Sequence, residues 1–179
     1  LLGNLHPAVQ LSALKQMKNK PDLIILDSMN YWMDNFRSIL DEVIKEIDIL
    51  CISRSYQWSS EELTISEKYK FIKSEISDVK AYKLFIKDDA TIIYMAGTTN
   101  LSVSESDPVD DYKVHCMSLL AFLDIIKTTH KFFFISSAGT VYGEPSELNS
   151  KESDELNPKS IYGHRNKILE QIVISIGTK

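Results

Sequence analysis

The residue types that most often do chemistry in proteins are sparse and scattered in this chain. The histidines are His6, His115, His130 and His164, and the cysteines are Cys51 and Cys116. No two of them, alone or with a carboxylate, have the short spacing of metal ligands, and the Gly-x-Ser-x-Gly elbow of a serine hydrolase is absent. We therefore expect no metal centre and no Ser-His-Asp triad. His164 and Arg165 are predicted to face solvent.

Hydroxyl and charged residues follow several short apolar runs instead. Ser53 and Arg54 end one run, Glu75 follows a second, and Ser136 and Ser137 end a third. An Arg guanidinium at such a place suits a phosphate, and a hydroxyl can hold a reacting oxygen or bond the local backbone. The pattern favours ligand binding at the ends of predicted strands.

Composition excludes several other classes of protein. The 179 residues carry a net charge of −5, whereas a nucleic-acid groove or an anionic membrane needs a basic surface. Hydrophobic residues make up 44% and charged residues 25%, as in globular domains. No apolar run approaches the roughly 20 residues of a spanning helix, and no signal peptide is visible. Cys51 and Cys116 lie in apolar stretches, so we expect reduced core thiols and a cytoplasmic protein.

The elements that must position these residues alternate along the chain. Strands are predicted at 23–26, 47–53, 70–73, 91–96 and 132–136, and helices at 34–47, 79–87, 109–129 and 161–176, with a further helix at 8–18 before the first strand. This alternation predicts an α/β fold, a doubly wound parallel sheet of the Rossmann type covered on both faces. Ligands of such sheets bind at the carboxyl ends of the strands.

Four motifs between residues 91 and 170 have the order and spacing of one known family. They are Ile93-Tyr94-Met95-Ala96-Gly97, then 102–108 followed by Tyr112-Lys113-Val114, then 135–145 with Val141-Tyr142-Gly143, and finally Asn157-Pro158-Lys159-Ser160-Ile161-Tyr162-Gly163. Together they resemble the extended short-chain dehydrogenase/reductase family, and within it the NAD-dependent epimerases and dehydratases of nucleotide sugars.

The resemblance implies a reaction and its catalytic residues. A bound nicotinamide takes a hydride from the sugar, Tyr162 acts as the base, and the hydride returns after epimerisation or loss of water. Ser137 or Thr140 is expected to bond the reacting oxygen, because Ala138 occupies the usual Ser position. The family's Lys lies four residues after the Tyr, where this chain has Asn166; Lys167 follows one residue later, about 100° round the helix.

The resemblance also places the cofactor residues. The family's glycine-rich turn corresponds to Asp27, Ser28 and Asn30, and this chain lacks the glycines of that turn. The residues expected to contact the cofactor after the later strands are Ser53 and Arg54 after the second, Glu75 and Ile76 after the third, and Ala96, Gly97 and Thr98 after the fourth. On the long helix, His115 replaces an Asn of the family. Arg54 in place of an acid makes NADP as well supported as NAD. A competing alignment uses residues 3–20 as the remnant of the glycine turn and the first helix, and Asp27 as the ribose acid, at the usual spacing of about 20 residues.

Three functions stay open on these grounds. The first is an NAD(P)-dependent nucleotide-sugar epimerase or dehydratase, the second a non-catalytic relative with a degraded glycine turn and Lys, and the third an NADPH-dependent reductase of the same superfamily. We expect residues 1–22 to be an N-terminal extension and 23–179 a dinucleotide-binding domain that ends before most of the substrate lobe. The resemblance also implies a homodimer through helices 109–129 and 161–176.

Overall fold

The computed structural model describes residues 23–24, 48–54, 69–97, 101–144 and 150–177. The predicted helices at 8–18 and 34–47, and the predicted cofactor residues Asp27, Ser28, Asn30 and Thr98, lie outside these ranges. The chain divides into two compact units, one of residues 1–96 and 121–135 and the other of 97–120 and 136–179.

The first unit contains all five predicted strands, and all of them pair in parallel. Strands β1 (Leu23–Ile24), β2 (Asp48–Ser53) and β3 (Tyr69–Lys73) form a sheet in that order, with Leu23 opposite Asp48 and Cys51 opposite Phe71. Strands β4 (Thr91–Tyr94) and β5 (Lys131–Phe134) form a second parallel pair. Because β1 also contacts β4, the five strands follow one another in space as β3, β2, β1, β4, β5, which is the order of the first five strands of the Rossmann fold. The predicted α/β Rossmann-like fold is confirmed.

An aromatic cluster fills the core of the first unit beside β4 and β5. Tyr94 contacts Phe122, Phe132 and Phe134 with ring centroids 5.4 to 6.1 Å apart, and Tyr82 stacks on Phe122. Leu50, Ile52 and Ile92 are also buried. Phe133 of β5 is half-exposed, so the strand is less covered than its continuous apolar run predicts.

Two helix predictions in this part of the chain are corrected. Residues 79–87 form two short 3-10 helices, Val79–Ala81 and Lys83–Phe85, because Tyr82 between them has φ −133 and turns its buried hydroxyl to the carbonyl of Ile76. The long helix ends at Leu123 rather than at residue 129. The residues after Leu123 form a loop instead. In this loop Lys127 Nζ and the Thr129 hydroxyl donate hydrogen bonds to Asp88, and these bonds prevent the segment from continuing the helix.

The second unit is helical in its described part. Helices α1 (Leu101–Ser106), α2 (Pro108–Leu123), α3 (Ala138–Val141) and α4 (Ile161–Gly177) follow in chain order, and the boundary between the units falls within α2, after Leu120. Ser160 caps α4 by accepting a bond from Gly163 N at 3.0 Å, and Glu105 accepts one from Ile161 N at 2.8 Å. None of the described helices combines the length and apolarity that crossing a membrane requires.

Candidate functional site

Tyr162 lies in the first turn of α4, at a place where the backbone of the second unit packs closely. The next residue, Gly163, is buried, and a Cβ built there would lie 2.7 Å from the carbonyl oxygen of Thr140 and 2.9 Å from Pro158. No larger residue fits without movement, so this glycine brings the start of α4 against α3. Tyr162 itself is half-buried.

The prediction that Arg165 faces solvent is wrong, whereas His164 is exposed as predicted. Arg165 is 1% exposed and its Nη1 donates to both carboxylate oxygens of Asp111, at 2.8 and 3.1 Å. Asp111, 6% exposed, also accepts from the Ser104 hydroxyl at 3.0 Å. Burial of the cation is tolerable because the carboxylate is buried with it and further donors satisfy the carboxylate.

The same guanidinium lies over the ring of Tyr162. Its Cζ is 4.4 Å from the ring centroid, within the range of a cation–π contact. Residues three apart share a face of an α-helix, so the Tyr162 to Arg165 spacing is the sequence signal that could have revealed this contact. The Asp111 partner carries no such local signal, since it lies 54 residues away in the chain.

Asn166 and Lys167 lie on different faces of α4, as the rotation of about 100° per residue predicts. Asn166 stands one full turn after Tyr162 and is 5% exposed, and its Nδ2 has no hydrogen-bond partner among the described residues. Lys167 Nζ donates to the carbonyl of Leu156 at 2.7 Å. The predicted catalytic ammonium is thus engaged by backbone, while an uncharged amide occupies the position four residues after Tyr162.

The hydroxyls after β5 are partly engaged with their own surroundings. Ser136 donates to the carboxylate of Glu170 on α4, and Thr140 donates to the carbonyl of Ser137 at 3.1 Å. Ser137 immediately precedes α3 and is half-buried. Ser137 and Thr140 therefore lie together, and Ser136 is held by an acid two turns beyond Tyr162.

His115 and its neighbours belong to the polar cluster around Arg165. His115 Nε2 lies 3.4 Å from Asp111 Oδ1, and the imidazole is mostly buried. Burial, and then the Asp111 carboxylate, raise the pKa of Tyr112, against a smaller opposing effect of Arg165. Burial likewise raises the pKa of the Cys116 thiol. Gly97, also in the second unit, is half-buried, and a Cβ there would lie 3.9 Å from Arg165 Nη2.

The predicted cofactor residues of the first unit lie where the strands end. Ser53 is 3% exposed, whereas Arg54 is exposed and its Nε lies 3.9 Å from a Glu75 carboxylate oxygen. Ile76 is buried and Ala96 is half-buried. The structure therefore brings Arg54 and Glu75 together and leaves both side chains exposed.

The chain matches known proteins along most of its length. Residues 42–178 match the family described as GDP-mannose 4,6 dehydratase. A Methanocaldococcus jannaschii protein with a provisional assignment as a UDP-glucose 4-epimerase is 30% identical over 112 residues, which are 61% of this chain and 37% of that protein.

Two solved structures illustrate the similarity of fold. The UDP-N-acetylglucosamine 4-epimerase of Methanobrevibacter ruminantium, in complex with UDP-N-acetylmuramic acid, has a TM-score of 0.71 at 21% identity, over 91% of this chain and 52% of that one. The UDP-glucose 4-epimerase of Bifidobacterium longum, in complex with NAD+ and UDP, has a TM-score of 0.70 at 21% identity, over 87% and 49%.

The chain therefore spans about half the length of these solved structures. The matched residues include β2 to β5 and all of α4, so the similarity covers both units. The chain belongs to the GDP-mannose 4,6 dehydratase family, within the extended short-chain dehydrogenase/reductases that comprise nucleotide-sugar epimerases and dehydratases.

Proposed function

We propose that this protein supplies the cofactor-binding and catalytic part of an NAD(P)-dependent nucleotide-sugar epimerase or dehydratase, with Tyr162 as the base. The observation that carries the proposal is one face of α4. Tyr162 is half-buried at its start, and one turn later the buried Asn166 presents an N–H with no partner among the described residues. In this proposal residues 23–179 form the dinucleotide-binding domain and residues 1–22 precede it.

The chemistry of these donors fits a dinucleotide. A buried amide N–H that lacks a partner is costly unless a ligand oxygen accepts from it, and a ribose hydroxyl is such an oxygen. Arg54 is exposed at the end of β2 and suits a ribose 2′-phosphate, which supports NADP beside NAD. His115, Gly97 and Ala96 remain proposed cofactor contacts, as do Glu75 and Ile76.

When bound, the nicotinamide supplies a hydride acceptor and donor. The protein's own contribution is to remove a proton from a sugar hydroxyl through the Tyr162 phenol and to hold the same oxygen through Ser137 or Thr140. Thr140 already donates to the Ser137 carbonyl at 3.1 Å, so Ser137 is the stronger candidate for that hydrogen bond. Lys167 would have to leave the Leu156 carbonyl to take part.

That last observation favours a second candidate function, a non-catalytic relative. The position four residues after Tyr162 carries no charge, and the neighbouring Lys is bound to backbone at 2.7 Å. In this alternative the Rossmann fold persists as a nucleotide-binding or interaction module. Retained cofactor affinity without turnover would distinguish it from an active enzyme.

The proposed assembly is a homodimer through α2 and α4, and the proposed location is the cytoplasm. Both helices present apolar side chains to solvent, with Val114, Met117 and Leu120 on α2 at 41 to 59% exposure, and Ile168 and Ile174 on α4 at 38 and 64%. Burial of such side chains is the main favourable contribution to association. The low cysteine content supports the location.

A cofactor titration of the full chain tests the proposal. We expect NAD+ or NADP+ to bind with measurable heat, and UDP-glucose, UDP-N-acetylglucosamine or GDP-mannose to be turned over by the loaded protein. Tyr162→Phe keeps the ring and should retain cofactor affinity while losing turnover. Absence of affinity for both cofactors in either redox state would contradict the proposal.

A further inference from the structure

Three polar side chains follow one another along one face of α4. Tyr162, Asn166 and Glu170 are spaced four residues apart, so each lies one helical turn beyond the last. Glu170 is half-buried, and its carboxylate accepts a hydrogen bond from the Ser136 hydroxyl. Asn166 therefore stands between the proposed base and a carboxylate.

Asn166 is the member of this face whose hydrogen-bonding capacity is unused. The side chain is 5% exposed, and its Nδ2 has no partner among the described residues. A buried amide N–H without a partner costs free energy that a ligand oxygen recovers. The amide brings no charge to the face, whereas an ammonium group at this position would add a full positive charge.

The cations close to this face are engaged elsewhere. Arg165 Nη1 lies 2.8 and 3.1 Å from the carboxylate oxygens of Asp111, so this buried pair carries no net charge. Lys167 Nζ donates to the carbonyl of Leu156 at 2.7 Å. Glu170 forms no ion pair within the part of the chain that the structure describes, and its negative charge is the one that the face presents.

We propose that Asn166 and Glu170 set the redox preference of the bound dinucleotide, favouring its oxidised form over its reduced form. The proposal rests on the proposed function in treating Tyr162 as the base. The hydride leaves the same sugar carbon whose hydroxyl Tyr162 deprotonates, so the nicotinamide ring has to approach that carbon closely near the start of α4. The oxidised ring is a cation and the reduced ring is neutral, so a nearby carboxylate stabilises the oxidised form and an uncharged Asn166 does not oppose it.

The preference is measured as the ratio of two dissociation constants, without turnover. The full chain is titrated at pH 8 by calorimetry with NAD+ and NADH, and with NADP+ and NADPH. We expect the parent to bind the oxidised form more tightly. Asn166→Lys puts a positive charge roughly 6 Å from the ring and should shift the ratio toward the reduced form by about tenfold or more. The ratio isolates the effect of charge, because a lost or gained hydrogen bond to the ribose changes both affinities alike.

Two further variants separate this charge effect from a structural one. Glu170→Gln removes the negative charge but keeps an oxygen that can accept from Ser136, and it should shift the ratio in the same direction by about threefold. This variant decides the question if Asn166→Lys fails to fold. His164→Lys is the matched control, because it adds the same charge to α4 at an exposed position, where water and salt screen it. Its ratio should equal that of the parent.

Tighter binding of the reduced form by the parent overturns the proposal. A ratio that neither Asn166→Lys nor Glu170→Gln changes also overturns it, as does an equal shift in His164→Lys, which would reflect net charge alone. Failure of the proposed function has a different signature, since the parent then binds neither redox form, and the redox preference falls with it.

Discussion

At the residue scale, the buried pair of Asp111 and Arg165 is the most consequential contact in the described structure. A buried pair adds little net stability in itself, because the desolvation of both charges offsets their attraction. Breaking it is different, since the remaining charge stays buried without its partner. The pair therefore makes the protein sensitive to single substitutions beside the proposed base.

Arg165→Met should lower the free energy of unfolding by about 3 to 5 kcal/mol, because it strands the Asp111 carboxylate. The double variant Asp111→Leu/Arg165→Met should recover most of that loss. Urea unfolding followed by circular dichroism measures both. Arg54→Met is the matched control: Arg54 is exposed, and its loss should cost under about 0.5 kcal/mol. Equal destabilisation by the two single variants would contradict this prediction.

The thiol of Cys116 should react slowly. Burial, reinforced by the Asp111 carboxylate, raises its pKa and outweighs the opposing effect of Arg165. Since the thiolate is the reactive form, alkylation by iodoacetamide at pH 7.5 should be slower than for a cysteine in an unstructured peptide, and should quicken as the pH rises. Mass spectrometry separates Cys116 from Cys51, which is 5% exposed. Alkylation at the peptide rate would refute the assignment.

At the element scale, the placement of α3 and α4 depends on glycines that admit close backbone. Gly143 follows α3 with φ +69, and a Cβ on it would lie 2.1 Å from the carbonyl oxygen of Asn157. A left-handed backbone and a backbone neighbour at that distance leave no room for any side chain. Gly139 within α3 has nothing within 4 Å of the same position.

Gly143→Ala should therefore destabilise the protein by about 2 kcal/mol or more, since it adds both backbone strain and a clash. Gly139→Ala should stabilise it by roughly 0.5 kcal/mol, because alanine loses less conformational entropy in a helix. Thermal unfolding of the two variants beside the parent is the measurement. A lower melting temperature for Gly139→Ala than for Gly143→Ala would argue against this account of the turn.

Tyr82, which breaks the predicted helix at 79–87, should make stability depend on alkaline pH. Burial, and then Asp78, raise its pKa above the ordinary value of 10.0 in the folded state. A raised folded value means that the stabilisation is complete below the unfolded pKa and is lost as the pH rises above it. Urea midpoints measured from pH 8 to 11 should fall less steeply for Tyr82→Phe than for the parent. Parallel curves would contradict the prediction.

At the scale of the whole molecule, the exposed apolar side chains of α2 and α4 lead to an expectation about assembly. If these helices form the proposed dimer interface, Met117→Lys should shift the protein toward monomer. Leu84→Lys is the control, because Leu84 is 85% exposed and belongs to the second 3-10 helix rather than to α2 or α4. Analytical ultracentrifugation at several concentrations measures the effect. A parent chain that stays monomeric throughout would refute the dimer.

The sequence by itself determined the α/β class, the parallel strands and the family. Apolar runs, turn residues and the motif at residues 157–163 are local signals, and the strands and helices can be predicted directly from them. Helix ends were harder, because the end of α2 depends on contacts that Lys127 and Thr129 make with Asp88, 39 and 41 residues away.

Only the tertiary structure decided which charged side chains lie beside Tyr162. The sequence alone predicts that Arg165 faces solvent, because burying a cation without a partner costs too much free energy. The Asp111 carboxylate makes the burial of Arg165 possible, because it pairs with the guanidinium. Asp111 lies on another helix, 54 residues away in the chain, so no local sequence pattern predicts this pair. The same reasoning holds for Lys167: helical rotation indicates that it turns away from Tyr162, but the Leu156 carbonyl that holds it becomes known only once the chain is folded.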